Sequence, residues 1–217
     1  MIDPGADLLL LIICSPSGAG KTTLTRELLR SFSRLTFSVS CTTRKPRAAE
    51  VDGRDYFFVT REDFQHRVSE GAFIEWAEVH GNLYGTSIAE LARARGEEKV
   101  GIVFDVDYQG ARQIKAQLPS AVGVFILPPS MEELGRRLRG RATDDESTIQ
   151  RRFNKAKHEI ENYRLFDYII VNDDLEKSQA RLRSIVYAEA SRTTRLAMSA
   201  ERLLRDESVG QWPFHSL

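Results

Sequence analysis

Seven consecutive apolar residues occur near the start of the chain, from Leu8 to Cys14. Because they are apolar on both alternating faces, they predict a strand buried in the middle of a parallel sheet. A turn rich in serine and glycine follows over residues 15–20, and leucines then recur at helical spacing from Lys21 to Phe32. The first predicted elements are therefore a buried strand, a glycine-containing turn and a helix.

Strands and helices alternate again in the second half of the chain. Strands are predicted over residues 100–105, 121–127 and 167–171, and helices over 109–118, from residue 130 onward, over 148–164 and over 175–205. Ser130, with Glu133 three residues later, forms a capping box that marks the start of a helix. The alternation predicts an α/β fold, in which helices cover both faces of a parallel sheet.

The stretch over residues 36–96 interrupts this alternation. It is polar and rich in turns, with short strand-like pieces at residues 56–59 and 73–79. We interpret it as a small β-rich insertion in a core made of residues 1–35 and 97–190, without linker-separated domains. Residues 191–217 are predicted to be a helical extension with an irregular tail, whose aromatic Trp212 and Phe214 indicate docking on another surface.

The charge balance is even, with 31 lysines and arginines against 31 acidic residues in 217. A nucleic-acid or membrane-surface binder usually carries a basic excess, so neither partner is predicted. The apolar run near the start is too short to span a bilayer. Asp3 and Asp7 stand where a signal peptide would be positive. Cys14 and Cys41 lack metal-ligand spacing and are expected to be free thiols, which favours the cytoplasm.

The turn after the first predicted strand resembles the phosphate-binding P-loop, G-x-x-x-x-G-K-[ST], with Ser15 in place of the first glycine. Its residues are Ser15, Pro16, Ser17, Gly18, Ala19, Gly20, Lys21 and Thr22. Backbone N–H groups and the helix N-terminus bind the phosphates of a nucleotide in such loops. Lys21 would reach the β- and γ-phosphates, and the Thr22 hydroxyl would hold Mg²⁺. The loop alone would also fit GTPases and other ATPases.

A carboxylate at the end of a later strand fits the same site. Asp105 ends the strand predicted over residues 100–105, as a Walker-B aspartate does, and is a candidate second holder of Mg²⁺, directly or through water. Asp107, two residues further, is expected on the same face of that strand. These features together predict a P-loop NTPase-type sheet.

Five further segments, in their order along the chain, resemble those of guanylate kinases. They are residues 38–47, 50–59, 73–77, 81–86 and 105–110. The resemblance runs from about residue 8 to residue 190, and residues 191–217 extend past it. It implies transfer of the γ-phosphoryl group of ATP to GMP, and to dGMP as well, with Mg²⁺ bound to the ATP.

The resemblance also implies how GMP is bound. The implied residues are Ser40, Arg44, Arg47, Tyr56, Glu75, Tyr84, Thr86 and Asp105. Arg44 and Arg47 would clamp the GMP phosphate, because guanidinium groups pair with phosphate oxygens through two donors. Glu75 would accept from N1–H and the 2-amino group of guanine, whereas adenine would leave it unpaired. Residues 36–96 would therefore be the GMP-binding insertion.

An arginine-rich lid is implied over about residues 137–152. Arg137, Arg141 and Arg152 match the family and would neutralise phosphate charge while the closed lid excludes water. Asn172 matches a residue near the adenine. Together with Lys21, Arg44 and Asp105, the three arginines form the predicted catalytic set. No general base is needed, because the attacking phosphate oxygen is already ionised.

Two other functions remain open at this point. Guanylate-kinase-like modules of scaffold proteins keep the fold and bind phosphorylated peptides, although their P-loops are usually degraded. A kinase acting on another phosphorylated acceptor, such as a ribose bisphosphate, would share the P-loop without needing the guanine-binding residues. Whether the chain is a monomer or a homo-oligomer is undetermined.

Overall fold

The computed structural model describes residues 8–79, 81–140, 145–205 and 207–209. Its strands are β1 (Leu9–Cys14), β2 (Leu35–Phe37), β3 (Cys41–Thr42), β4 (Phe57–Phe58), β5 (Phe73–Val79), β6 (Asn82–Ser87), β7 (Gly101–Asp105), β8 (Val122–Leu127) and β9 (Tyr168–Val171). Its helices are α1 (Lys21–Ser31), α2 (Arg61–Ser69), α3 (Ala89–Gly96), α4 (Tyr108–Gln117), α5 (Met131–Arg139), α6 (Glu146–Ile160), α7 (Leu175–Ala190) and α8 (Thr193–Leu204).

Five parallel strands form the larger sheet, in the order β2-β7-β1-β8-β9. All six residues of the central strand β1 are buried. Its odd-numbered residues pack against α1 and α7, and its even-numbered residues against α3 and α4. Because helices cover both faces of the sheet, every residue of β1 is buried, which explains its continuous apolar run. The predicted α/β architecture is confirmed.

A second, four-stranded sheet has the order β4-β3-β6-β5 and is mostly antiparallel. Helix α2 covers it through a small apolar cluster that includes Cys41, Phe64, Phe73 and Leu83. The Phe64 and Phe73 rings are stacked with centroids 4.4 Å apart. This cluster is separate from the two cores of the larger sheet.

Polar contacts join the smaller sheet to the larger one. The Gln113 side chain of α4 accepts from Trp76 N–H at 3.1 Å and donates to Trp76 C=O at 2.9 Å, which fixes β5 against α4. Buried Glu90 of α3 accepts from Val39 N–H at 2.7 Å, just after β2. Both connections hold the second sheet beside the carboxyl end of β7.

The predicted elements agree with the structure in order and differ at some boundaries. The helix predicted over 148–164 spans Glu146–Ile160 and is followed by a 3₁₀ turn. The prediction of a single helix over residues 175–205 is wrong, because the helix is interrupted between α7 and α8. Arg192 is extended there, with ψ 140°, and its guanidinium turns back to Glu189 at 2.7 Å. The pattern also missed β2, β3, β6, α2 and α3, all of which lie within residues 35–96.

Cys14 and Cys41 are buried free thiols, as expected. No helix within the described ranges is long and apolar enough to cross a bilayer. Trp212 and Phe214 lie outside the described residues.

Phe64→Ala should destabilise the protein by about 3–5 kcal/mol, because it removes a fully buried ring and leaves a cavity under the second sheet. Urea unfolding measures the change. His66→Ala, an exposed position on the same helix, is the control and should stay within about 0.5 kcal/mol of wild type. A Phe64→Ala loss below about 1 kcal/mol would contradict the importance of this cluster.

Candidate active site

The predicted P-loop lies between β1 and α1, at the carboxyl edge of the larger sheet. Gly18 and Gly20 adopt φ values of +90° and +99°, which side chains other than glycine rarely tolerate. A Cβ at Gly18 would lie 3.0 Å from Leu138 and 3.1 Å from Leu134, both on α5. The loop is therefore packed against α5, and its glycines are required by conformation and by space.

Two buried side chains hold the loop from the sides. Asn172, 6% exposed, donates from Nδ2 to Ala19 C=O at 2.7 Å. Glu159, 7% exposed, accepts from Ser17 N–H at 3.3 Å through Oε2. Asn172 thus supports the loop, and its predicted contact with the adenine stays a prediction.

Lys21 and Asp105 are in direct contact through Nζ and Oδ1. The parallel pairing of β1 with β7 aligns Ile13 with Asp105, so the end of β7 lies beside the loop. Thr22 is exposed in the first turn of α1. The structure therefore brings together the lysine that was predicted to reach the phosphates and the carboxylate that was predicted to hold Mg²⁺.

Asp107 does not continue the strand, contrary to the expectation. Strand β7 ends at Asp105, and Asp107 is the N-cap of α4, where its Oδ1 accepts from Gln109 and Gly110 N–H at 3.0 Å. An aspartate is well suited to this position because it satisfies free N–H groups at the helix start. Its carboxylate still faces the cavity beside Asp105.

The predicted lid arginines are placed differently from one another. Arg137 on α5 donates to Glu133 at 2.7 Å and to Asn172 C=O at 3.0 Å, which connects α5 to the loop support. Arg152 lies half-buried on α6. Arg141 falls outside the described residues.

A cavity of about 270 Å³ opens next to the loop, between the two sheets. Five predicted residues line it: Ser40, Tyr56, Glu75, Tyr84 and Asp105. Thr86 is buried directly behind Glu75. Asp105 also contacts Lys21, so the cavity and the phosphate loop share a wall.

Glu75 is a buried carboxylate, 7% exposed, that lines this cavity. Thr86 donates its hydroxyl to Glu75 Oε1 at 2.7 Å. A Cβ at Gly110 would lie 3.0 Å from Oε2, so glycine there leaves room for the carboxylate. Burial raises the pKa of Glu75 to about 7, the Thr86 hydrogen bond opposes this rise, and the Asp107 charge adds to it.

Two tyrosines line another part of the cavity, and Arg44 lies beside one of them. The Tyr56 and Tyr84 rings meet edge to face at 6.1 Å, and the Arg44 guanidinium lies 5.4 Å from the Tyr56 centroid. Burial raises the pKa of Tyr56, which keeps its hydroxyl a donor. Arg44 pairs with Glu50 at 2.8 Å. Arg47 is exposed, and neither Arg44 nor Arg47 is among the described residues that line the cavity.

Sequence reasoning did not identify several residues that the structure adds to the site. Glu50 holds Arg44, Gly110 makes room for Glu75, Glu159 supports the loop, and Lys155 lines the cavity. The spacing of Arg152, Lys155 and Glu159, at i, i+3 and i+7 on one helix, could have indicated a shared face.

Comparison with known proteins identifies the family. A family model described as guanylate kinase matches residues 8–189. The chain belongs to the guanylate kinase family. This range agrees closely with the resemblance inferred over residues 8–190.

Relatives with guanylate kinase as their name match most of the chain. That of Geobacter metallireducens is 51% identical over 86% of this chain and 92% of its own length. That of Myxococcus xanthus is 48% identical over 92% of this chain and 94% of its own. The crystal structure of guanylate kinase from Anaplasma phagocytophilum superposes with a TM-score of 0.69 at 35% identity, covering 88% and 90% of the two chains.

Glu75→Gln should stabilise the ligand-free protein at pH 8 by about 2–3 kcal/mol and have little effect at pH 4.5. A folded-state pKa of about 7 against an ordinary 4.5 means that ionising Glu75 costs stability between these pH values. Glutamine removes that cost. Urea unfolding at pH 4.5 and 8 measures it, with exposed Glu201→Gln as the control. An equal effect of Glu75→Gln at both pH values would contradict the raised pKa.

Proposed function

We propose that this protein is an ATP:GMP phosphotransferase that produces ADP and GDP in purine nucleotide metabolism. The observation that carries the proposal is that a P-loop and a cavity lined by a buried carboxylate share a wall, formed by Asp105. Family membership and the relatives' names support the same activity.

Guanine is the base that this cavity is suited to bind. An ionised Glu75 offers two acceptor oxygens, and guanine presents N1–H and a 2-amino group side by side. Thr86 holds one oxygen and fixes the direction of the carboxylate. Adenine has an acceptor at N1, so it would leave a buried carboxylate facing a lone pair, which is costly. Nothing in this base recognition depends on the ribose 2′-hydroxyl, which supports dGMP as a second acceptor.

The GMP phosphate would lie towards Tyr56, Tyr84 and Arg44. Two phenol donors and a guanidinium suit a phosphate dianion. Arg44 is already oriented by Glu50 and stacked beside Tyr56, so little side-chain freedom is lost on binding. Arg47 would reach the phosphate from the exposed edge of the same loop.

ATP would bind the P-loop with its γ-phosphate facing the cavity. The loop is held by Asn172, Glu159 and α5, so its N–H groups need little rearrangement. Lys21 would exchange its contact with Asp105 for phosphate oxygens. The transfer itself depends on positioning and charge stabilisation.

The oxygen donors at this edge fit Mg²⁺. Mg²⁺ in kinases keeps several waters and takes one or two protein oxygens besides those of the phosphates. The Thr22 hydroxyl and the Asp105 carboxylate are such oxygens, with Asp105 acting directly or through water. When bound, Mg²⁺ neutralises charge on the phosphates.

The chain is proposed to work as a core with two moving parts. Residues 1–35 and 97–190 form the core, residues 36–96 the GMP-binding insertion, and residues 137–152 the lid. Closure would bring Arg137, Arg141 and Arg152 to the phosphates and exclude water.

The two alternatives fit these observations less well. A phosphopeptide-binding module needs neither the Lys21–Asp105 contact nor a buried base-binding carboxylate. A kinase that acts on a sugar phosphate would not need a buried base-binding carboxylate such as Glu75, to which Thr86 donates at 2.7 Å.

Wild-type enzyme with ATP should use GMP and dGMP and prefer GMP over AMP by at least about 10³ in kcat/KM. Coupled ADP release against GMP, dGMP, AMP, CMP and UMP tests this expectation. Glu75→Gln should reduce the preference mainly by weakening GMP. Comparable use of AMP by the wild type would refute the role of Glu75.

Arg44→Lys should lower kcat/KM for GMP by about 10²-fold, because ammonium cannot reproduce the planar paired donors of guanidinium. KM for GMP should rise and kcat should fall, while KM for ATP changes little. Arg54→Lys, an exposed position in the same insertion, is the matched control. Unaltered GMP kinetics in a folded Arg44→Lys protein would show that Arg44 is only a surface side chain.

A further inference from the structure

Lys155 is a basic side chain on the cavity wall that faces the P-loop side. It lies on α6, one turn after Arg152, and its side chain is 56% exposed. Among the described lining residues, three are acidic (Glu75, Asp105 and Asp107), and Lys155 alone is basic.

A buried carboxylate pairs with this ammonium group. Lys155 Nζ is 3.5 Å from Glu159 Oε1. The other oxygen of Glu159 accepts from Ser17 N–H of the P-loop at 3.3 Å. One carboxylate therefore contacts both the loop and the lysine, and Lys155 also lines the cavity, so its ammonium group lies near the boundary between the two.

That boundary is where two phosphate groups must meet if the proposed function is correct. The acceptor phosphate is a dianion, and it would enter a cavity whose lining carries three carboxyl groups. Opposite charges within a few ångströms are needed to offset that repulsion. Lys155 offers three donors on a flexible stem, and its ammonium group is paired with Glu159 at 3.5 Å.

We propose that Lys155, positioned by Glu159, binds the phosphate groups at the junction of the acceptor cavity and the P-loop during transfer. Lys155 is then a further catalytic residue, and Glu159 is a positioning residue that acts through it. This inference rests on the proposed GMP kinase activity and adds a phosphate contact from α6 to those from Arg44, Tyr56 and Tyr84.

Lys155→Gln removes the positive charge of the side chain and tests whether that charge is needed. It should lower kcat/KM for GMP by about tenfold or more, mostly by raising KM for GMP, because a hydrogen bond to a charged group is lost. KM for ATP should change less than threefold. Lys155→Arg should recover most of the loss. Lys157→Gln removes a lysine from the same helix, where its Nζ lies 5.3 Å from the Phe153 ring, and it should match wild type.

Calorimetric titration of GMP without ATP provides a second readout. Lys155→Gln should weaken GMP binding and leave the thermal unfolding midpoint within about 2 °C of wild type, because the side chain is largely exposed. A purely structural role would change the midpoint and not the affinity.

A double-mutant cycle tests Glu159. If Glu159 positions Lys155, Glu159→Gln should cost less in the Lys155→Gln background than in wild type. Glu189→Gln removes another buried carboxylate, near the opposite edge of the sheet, and controls for burial alone. Full additivity of the Lys155 and Glu159 effects would overturn the positioning role.

Failure of the inference and failure of the proposed function give different results. A wild type that does not phosphorylate GMP refutes the proposed function. A wild type that does so, together with Lys155→Gln kinetics within twofold of it, overturns the role of Lys155. Lys155→Arg no better than Lys155→Gln would equally overturn it.

Discussion

The whole site depends on the parallel pairing of β1 with β7 and β8. Because the three strands run in one direction, their carboxyl ends meet at one edge of the sheet. That edge receives the P-loop from β1 and Asp105 from β7. β1 is buried on both faces, with its odd-numbered leucines and Ile13 in the core that includes α1 and its even-numbered residues Leu10 and Ile12 in the core that includes α4.

A second constraint is the negative charge of the carboxyl groups that line the cavity. The cavity contains Glu75, Asp105 and Asp107, and its proposed substrate is a dianion. The negative charge of each carboxyl group is offset in a different way. Asp105 contacts Lys21, and Asp107 accepts from the N–H groups at the start of α4. Glu75 accepts from Thr86, and burial raises the pKa of Glu75. The buried carboxylate that costs stability in the free protein is the same group that would reject adenine. Stability and specificity are therefore opposed at this residue.

The P-loop is held by parts of the chain far from it in sequence. Glu159 on α6, Asn172 after β9 and the leucines of α5 all touch it, and Arg137 connects α5 to Asn172. The proposed lid over residues 137–152 thus includes the end of α5 and the start of α6, two helices that contact the loop. Movement of the lid would therefore shift the loop directly, together with any phosphates bound to it.

The sequence by itself determined the elements that local pattern controls and the residues that a motif specifies. The apolar run of β1, the Ser130 cap and the P-loop glycines are local features, because strand burial, capping and positive φ each leave a mark within a few residues. The family segments named Glu75, Tyr56 and Tyr84, which line one cavity in the structure. The Asp107 cap, the Glu50–Arg44 pair and the break between α7 and α8 involve residues only a few positions apart, so they too are local. Only the tertiary structure decided that Glu159 and Asn172 hold the P-loop, and that Lys155 lines the same cavity as Glu75. Those contacts join segments that are distant in sequence, which no local pattern encodes.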